Sequence, residues 1–184
     1  MKKYMFLIIA LISIAFSACD LNGSTNNTPQ ISFVTAPKLN ANDSLNMYIT
    51  DVAGTYRMDT ISVGDTVGFP ILLNGFSNHL TSYYLTQSDT TVAQIILPGK
   101  NSLDSIFLSS PSNYSSGKFI FRSNIYNLFF PFKYVALKPS NDVTLSFSLS
   151  SDANFEGNMV SGTNSVSFVL KTPIKVAKSS TVSN

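Results

Sequence analysis

The sequence is poor in the residue types that build catalytic and metal centres. Its 184 residues include one cysteine (Cys19), one histidine (His79), one glutamate (Glu156) and no tryptophan. A single cysteine excludes an intrachain disulfide and a site with several thiolate ligands, so stability must come from packing and backbone pairing. The absence of tryptophan removes the largest aromatic ring available for stacking on a ligand.

Residues that favour helices are also scarce. Serine, threonine and asparagine supply 28, 15 and 17 residues, whereas charged residues make up only 12% of the chain. Short hydroxyl and amide side chains compete with the helix backbone for hydrogen bonds and favour turns, and threonine favours strands. The composition therefore predicts an all-β fold.

The beginning of the chain is organised as an export signal. Two lysines precede an apolar run over residues 5–16, too short to span a bilayer stably, and the small residues Ser17 and Ala18 follow. Cys19 comes directly after them. This arrangement resembles the lipobox of bacterial lipoproteins, which implies that residues 1–18 are a signal peptide and that Cys19 carries acyl groups such as palmitate. The alternative is an ordinary signal peptide followed by an incidental cysteine.

Cleavage before Cys19 leaves a chain without net charge. The full sequence has 12 Lys and Arg against 10 Asp and Glu, and the excess of two lies at Lys2 and Lys3. Without a cluster of basic residues there is no electrostatic surface for nucleic acid or for an anionic membrane. We therefore expect no nucleic-acid partner, and membrane attachment only through the lipid on Cys19.

The remaining chain divides into three parts. Residues 19–30 have little apolar content and no periodicity, which predicts a flexible tether. Residues 31–178 have the length of one domain with a single core. Residues 179–184 are polar and are expected to form a disordered tail.

Short stretches that alternate apolar and polar residues predict strands with one buried face. The clearest examples cover residues 45–50, 66–73, 143–149 and 165–171. Nine or ten such strands, with no helical pattern after residue 19, predict an antiparallel β-sandwich; a small β-barrel is the alternative. The strand pattern is similar to that of small immunoglobulin-like surface lipoproteins of Gram-negative gut anaerobes.

Four local expectations follow from the same pattern. Residues 103–108 form a strand, and the apolar region 125–137 forms a long strand around Pro131. Pro70 cannot donate to a ladder and indicates an edge strand or a bulge. Gly64 and the aspartate after it suit a tight hairpin turn between two strands.

No set of residues indicates catalysis or a bound cofactor. A Ser-His-Asp triad would need His79 as its base, and no nucleophile motif accompanies it, so we interpret His79 as a polar residue at the start of a strand. Asp152, Asn154 and Glu156 place oxygen atoms at alternate positions, but they lack the spacing of a calcium loop, and we interpret them as a turn. We expect no enzyme, no metal site and no cofactor.

Tyrosines are the candidate rings for a ligand platform. The phenylalanines at alternating positions are expected to fill the core, whereas a tyrosine has a polar tip and tolerates a partly exposed position. The candidates are Tyr83, Tyr84, Tyr114 and Tyr126. Packing in the core or at its rim is the alternative for each of them.

A short triplet of aspartate, then serine or threonine, then a methyl-bearing residue occurs five times, more often than random order gives. It resembles the O-glycosylation site of the same group of anaerobes, which implies modification of Ser44, Thr60, Thr66, Thr90 and Ser105. A structural alternative is that aspartate ends a turn and the hydroxyl residue opens a strand. The sequence leaves both explanations open.

These features together predict a non-catalytic lipoprotein of the cell envelope. It would be anchored in the outer membrane, facing the periplasm or the cell surface, and would bind a protein or a glycan. An envelope enzyme acting on glycans, with carboxylates brought together from distant turns, is one alternative. A pilin-like structural subunit that exchanges a strand between copies is another.

Overall fold

The computed structural model describes residues 26–50, 52–156 and 161–177. These residues form two principal sheets that pack against each other across one hydrophobic core. The fold is the all-β, immunoglobulin-like sandwich that the sequence predicts, and not a closed barrel. Residues 1–25, with the predicted signal peptide and Cys19, and residues 178–184 lie outside the described residues, so the expectations for them stay predictions.

Sheet A contains the longest strand of the described chain. Its strands are β1 (Gln30–Phe33), β2 (Lys38–Leu39), β3 (Asp43–Ser44), β7 (Thr66–Asn74), β9 (Ala93–Ile96) and β11 (Asn127–Ala136). Their order is β3-β2-β7-β11-β9, and β1 pairs with β7 on the side that also carries β2. The long strand expected in the apolar region is confirmed as β11.

Sheet B supplies the opposite layer. Its strands are β4 (Met47–Ile49), β5 (Thr55–Met58), β8 (Leu80–Gln87), β10 (Lys118–Ile120), β12 (Thr144–Ser151) and β13 (Ser165–Lys171), in the order β10-β8-β12-β13-β5-β4. Its strands pair antiparallel except β13 and β5, which are parallel. A small parallel pair, β6 (Ile61–Ser62) with β14 (Ile174–Lys175), completes the strands of the described chain.

The core lies between the inward faces of the two sheets. Alternate residues of β7 and β12 are buried, as their period-two patterns predict. The ring of Phe147 in β12 packs 6.3 Å from both Phe33 and Phe132 of sheet A. Tyr83 of sheet B packs 5.4 Å from Phe130 of sheet A. Aromatic contacts therefore join the two layers along most of their length.

A helix occurs where the sequence pattern favours a strand. Helix α1 (Lys100–Ile106) buries Leu103, and the N–H of Phe107 donates to the carbonyl of Leu103 at 2.8 Å. Lys100 and Asp104, one turn apart, form an ion pair. The predicted strand over residues 103–108, and the absence of helix after residue 19, are wrong, because a short apolar run fits either period until its packing partners are known.

Pro70 lies inside sheet A and not at its edge. Its carbonyl accepts the N–H of Val34 at 2.9 Å, so the backbone at Pro70 faces the side shared by β1 and β2. β1 pairs with β7 from Ile71 onward and β2 pairs only up to Gly68, so Pro70 faces the break between them. The predicted edge strand or bulge is wrong, because this break accommodates the missing donor.

The turn at Gly64 forms, but the hairpin does not. The N–H of Asp65 donates to the carbonyl of Ser62 at 3.0 Å, and Gly64 has φ +91°, as a tight turn requires. The strand before the turn, β6, pairs with β14 and not with β7. Partner choice here depends on the distant residue Ile174, which local turn chemistry cannot reveal.

The start of the described chain is bound to one end of the sandwich, which we call the N-terminal pole (residues 26–29, 75–79 and 151–155). Asn26 accepts the side-chain amide of Asn78 at 3.0 Å and the N–H of Asn154 at 3.2 Å. The N–H of Thr163 donates to the hydroxyl of Thr28 at 3.0 Å. The expected flexible tether over residues 19–30 is therefore wrong for residues 26–30, because their side chains find polar partners in these turns.

Candidate functional site

The outer surface of sheet B carries hydroxyl groups in register across its central strands. Each outward residue of β12 is a serine or threonine, whereas the leucines and the phenylalanine at the alternate positions are buried. The strand pairings place outward side chains in rows, which read Ser82–Ser150–Ser165, Tyr84–Ser148–Ser167 and Thr86–Ser146–Val169–Thr55. We call this surface, comprising these residues, the hydroxyl face.

A shallow groove runs across the hydroxyl face. It has a volume of about 370 Å³, and Tyr84, Thr86, Ser146, Ser148 and Ser167 contribute to its lining. Tyr84 is 39% exposed and stands at one side of the groove. Neighbouring rows lie about 6.6 Å apart along a strand and neighbouring strands about 4.8 Å apart. The groove therefore presents closely spaced hydroxyls beside one aromatic ring.

Basic side chains border the hydroxyl face. Lys118 lies beside Tyr84 in the register, and Lys171 lies beside Arg57. Among the described residues, no outward position of β8, β10, β12 or β13 is acidic. The face thus presents hydroxyl groups with positive charge at its border.

One carboxylate, Asp59, lies near the border of this face and is engaged in hydrogen bonds. The backbone N–H of Asn46 and the hydroxyl of Tyr48 each donate to it at 2.8 Å. These hydrogen bonds hold the pKa of Asp59 below its ordinary value. Asp59 therefore stays ionised near neutral pH, and its hydrogen bond holds Tyr48 at this border. The same hydrogen bond raises the pKa of the Tyr48 hydroxyl.

Sequence reasoning found one residue of this face, Tyr84, and missed the rest. For Ser146 and Ser148 the sequence predicts only that they are the polar residues of an alternating strand. The signal was present in the run of outward hydroxyls over residues 144–150, but the matching rows come from strands about 20 and 60 positions away. Only the pairing of strands brings those rows together.

The four tyrosines of the predicted platform do not share a surface. Tyr83 is fully buried and its ring packs 5.7 Å from Phe119, so its prediction as a platform ring is wrong: β8 turns this residue inward. Burial raises the pKa of the Tyr83 hydroxyl. Tyr84 lies on the outer face of the same strand.

Tyr114 and Tyr126 occupy separate places. The hydroxyl of Tyr114 donates to Asp104 at 2.9 Å, and burial together with this bond raises the pKa of Tyr114 to about 12. Tyr126 is 40% exposed at the N-terminal pole, where its ring centroid lies 4.5 Å from that of His79. Neither ring lines the groove of the hydroxyl face.

His79 is joined to Asp152 by hydrogen bonds at the N-terminal pole. Its backbone N–H and its Nδ1 each lie 2.8 Å from a carboxylate oxygen of Asp152. Its Nε2 is buried and has no hydrogen-bond partner among the described residues. A triad would place a serine hydroxyl at this nitrogen. The pair therefore joins the start of β8 to the end of β12. Among the described residues, no serine hydroxyl is hydrogen-bonded to Nε2 of His79.

The loop over residues 152–156 uses its oxygen atoms internally. Both carboxylate oxygens of Asp152 accept from His79, and the side-chain oxygen of Asn154 accepts the N–H of Glu156 at 3.0 Å. Within the described ranges, no three His, Cys, Asp or Glu side chains form a group suited to a metal ion. The arrangement is that of a turn, closed by the side chain of Asn154 and bound to His79 through Asp152.

The five triplet hydroxyls differ in their surroundings. Four are exposed, and Thr66 is half-buried. Thr66 and Thr90 lie at the pole opposite the N terminus, since Thr66 opens β7 and Thr90 lies in the turn between β8 and β9. Ser44 lies on β3 and accepts Lys38 Nζ at 2.7 Å, Thr60 directly precedes β6, and Ser105 lies on α1.

The structural explanation of the triplets fits two of them. Thr66 opens β7 after a turn, and Thr60 directly precedes β6. Asp104 and Ser105 both lie within α1, and Asp43 and Ser44 both lie within β3. Thr90 precedes the next strand by three residues. The five triplets therefore do not share one turn-to-strand geometry.

Comparisons with known proteins give distant structural likeness only. No protein-family model matches the chain, and no curated protein matches its sequence. A solved structure, the ASH / PapD-like domain of human CEP192 (PapD-like domain 7), is similar at 10% sequence identity and a TM-score of 0.37, over 86% of this chain and 93% of that chain. Within residues 26–50, 52–156 and 161–177, no helix is long and apolar enough to cross a membrane.

Proposed function

We propose that the protein is a non-catalytic lipoprotein of the bacterial cell envelope that binds a glycan on its hydroxyl face. The lipobox-like sequence at Cys19 supports the lipid anchor. The rows of hydroxyls with Tyr84 among them support the glycan, and this single observation carries the binding proposal. The basic border formed by Lys118, Lys171 and Arg57 favours a glycan that bears acidic groups.

The chemistry of the face matches that of a sugar chain. Serine and threonine hydroxyls both donate and accept hydrogen bonds, as sugar hydroxyls do. The ring of the partly exposed Tyr84 offers an apolar surface for the C–H face of a sugar. A sheet face with adjacent strands about 4.8 Å apart gives an extended ligand several contacts at once.

Replacing Tyr84 with alanine should weaken binding of an acidic oligosaccharide about tenfold or more, because the stacking surface is lost. The measurement is isothermal titration of the mature chain with an oligosaccharide selected from a glycan array. Tyr126→Ala is the matched control, since Tyr126 is equally exposed but lies at the N-terminal pole. Equal loss in both variants, or no bound glycan on the array, contradicts the proposal.

The lipid anchor makes a separate prediction. Metabolic labelling with an alkyne fatty acid should tag the wild-type protein and leave Cys19→Ala unlabelled, because the lipobox-like cysteine is the chain's only thiol. The wild type should also partition with membranes. Equal labelling of both proteins would end the lipoprotein proposal without affecting the glycan site.

An anchor at Cys19 would orient the sandwich. Six residues separate Cys19 from Asn26, which is bound at the N-terminal pole. Fully extended, this segment reaches at most about 25 Å. The N-terminal pole would then face the membrane, and the opposite pole, with Thr66 and Thr90, would face away from it.

We propose that the exposed triplet hydroxyls carry O-linked glycans in the native host. Intact mass of native protein should exceed the acylated sequence mass by sugar-sized increments. Changing Ser44, Thr60, Thr66, Thr90 and Ser105 to alanine should remove the increments, with the smallest contribution expected from the half-buried Thr66. A native mass explained by the lipid alone would contradict modification of these sites.

A further inference from the structure

The outer surface of sheet A is apolar, in contrast to the hydroxyl face. A groove of about 980 Å³ crosses it, and Pro70, Pro131 and Ile96 lie on its floor. Ile96 is 43% exposed, and Phe129, two residues before Pro131 on the same face of β11, is 53% exposed. Rings and branched side chains thus form a continuous apolar strip in contact with solvent.

The two prolines form the centre of this strip. Pro70 of β7 lies directly opposite Pro131 of β11, and Leu72 lies opposite Phe129 in the next outward pair. The carbonyl of Pro70 points away from β11, toward Val34. Pro70 and Pro131 therefore form a close, non-hydrogen-bonded pair, in which the side chains approach each other. Proline rings have little conformational freedom to lose, so this floor is preorganised for an apolar ligand.

A glycine leaves a notch at one end of the groove. Gly68 pairs with Lys38 on one side and with Lys133 on the other, so the two lysines flank it at a Cα separation of about 10 Å. A Cβ at Gly68 would meet only the carbonyl oxygen of Lys38, at 3.9 Å. Neither packing nor backbone conformation requires glycine here, and a larger side chain would project into the notch.

The charges of the notch are not neutralised locally. Among the described residues that line the groove, none is acidic. Lys38 Nζ donates to Ser44 at 2.7 Å, and Lys133 is exposed. Within the described ranges, neither lysine forms an ion pair with a carboxylate. A notch between two cations, opening onto an apolar strip, complements a molecule with an anionic head and an apolar tail.

We propose that this groove binds an amphipathic carboxylate of the fatty-acid type. The carboxylate lies over Gly68 between Lys38 and Lys133, and the acyl tail runs over Pro70 and Pro131 toward Phe129. The four steps along the strand from Gly68 to Leu72 span about 13 Å, which suits a medium-length acyl tail. This site is on the opposite layer from the hydroxyl face and does not depend on glycan binding.

Dodecanoate, kept below its critical micelle concentration, is the probe. Isothermal titration uses the mature chain with Cys19→Ser, which cannot be acylated at that position. Dodecanoate should bind about tenfold more tightly than dodecyltrimethylammonium, which has the same tail and the opposite charge. Equal affinity for the two amphiphiles would overturn the proposed role of the lysines.

Variants separate the notch from the rest of the surface. Lys133→Ala should weaken dodecanoate binding about three- to fivefold, as expected for an exposed ion pair, and Lys133→Glu by more. Gly68→Leu should abolish binding by filling the notch. Lys118→Ala and Tyr84→Ala, on the other layer, should leave binding unchanged.

If Gly68→Leu fails to fold, the charge-reversal variant Lys133→Glu still decides the question, because its side chain is exposed. Dodecanoate binding that survives Lys133→Glu unchanged overturns the proposal. A second result also overturns the proposal. In it the wild-type chain fails to bind dodecanoate but dimerises with increasing concentration in light scattering, and Phe129→Ser abolishes the dimer. The strip would then be an interface between copies.

Discussion

Replacing Phe147 with alanine should lower the free energy of unfolding by about 3–5 kcal/mol. Phe147 is 1% exposed, and its ring contacts Phe33 and Phe132 of the opposite sheet and stacks on Phe168 at 4.5 Å. Removing it deletes buried apolar surface and leaves a cavity between the two sheets that these rings cannot fill without moving both layers. Urea unfolding followed by circular dichroism measures the change.

The neighbouring residue provides the control. Ser148 lies next along β12 and points outward on the hydroxyl face. Ser148→Ala should change the free energy of unfolding by less than about 0.5 kcal/mol, because no buried contact is lost. A loss below about 1 kcal/mol for Phe147→Ala, or similar losses for both variants, would mean that the assignment of the two faces of β12 is wrong.

Replacing Gly117 with alanine should destabilise the protein by about 2–5 kcal/mol, because two costs combine. Gly117 ends the short 3₁₀ helix Tyr114–Ser116 with φ +72°, where an L side chain costs about 1–2 kcal/mol. Its Cβ would also lie 1.8 Å from the carbonyl oxygen of Leu85 in β8. Relieving that overlap must push β10 away from β8, with a cost of the size found for overpacking, about 1–3 kcal/mol.

A second glycine separates these two costs. Gly64 has φ +91°, but a Cβ there meets no atom within 4 Å. Gly64→Ala should therefore cost only the conformational strain, about 1–2 kcal/mol. Thermal and urea unfolding of the two variants under the same conditions gives the comparison. Equal destabilisation by both substitutions would show that the close approach of Gly117 to β8 has no energetic consequence.

Strands with one buried face were predictable because their signal is local. In β12 the apolar and polar residues alternate without interruption, and the buried set, Leu145, Phe147 and Leu149, follows directly from that alternation. The same holds for the whole of β7. At Pro70 only the predicted edge strand or bulge failed, because the effect of a missing donor depends on which strands lie alongside it, and those strands are about 30 to 40 positions earlier in the chain.

Helix α1 was missed for a related reason. Leu103 and Ile106 fit a short strand or one amphipathic turn equally well, and seven residues are too few for periodicity to distinguish them. The packing of Leu103 into the core and the ion pair between Lys100 and Asp104 favour the helix. The packing of Leu103 becomes visible only when the surrounding strands are in place, and the local pair of Lys100 and Asp104 is too weak to decide the structure alone.

The sequence by itself determined the all-β class and the direction in which the side chains of β7 and β12 point, but not that of Ile49, which is exposed against its pattern. Composition and period-two alternation act over a few residues, so they can be recognised without knowing strand partners. The tertiary structure alone decided which outward residues become neighbours. Pairing of β8, β12 and β13 aligns Tyr84 with Ser148 and Ser167, and pairing of β2, β7 and β11 sets Gly68 between two lysines. Strand order is set by packing of the whole core, and no local pattern encodes it.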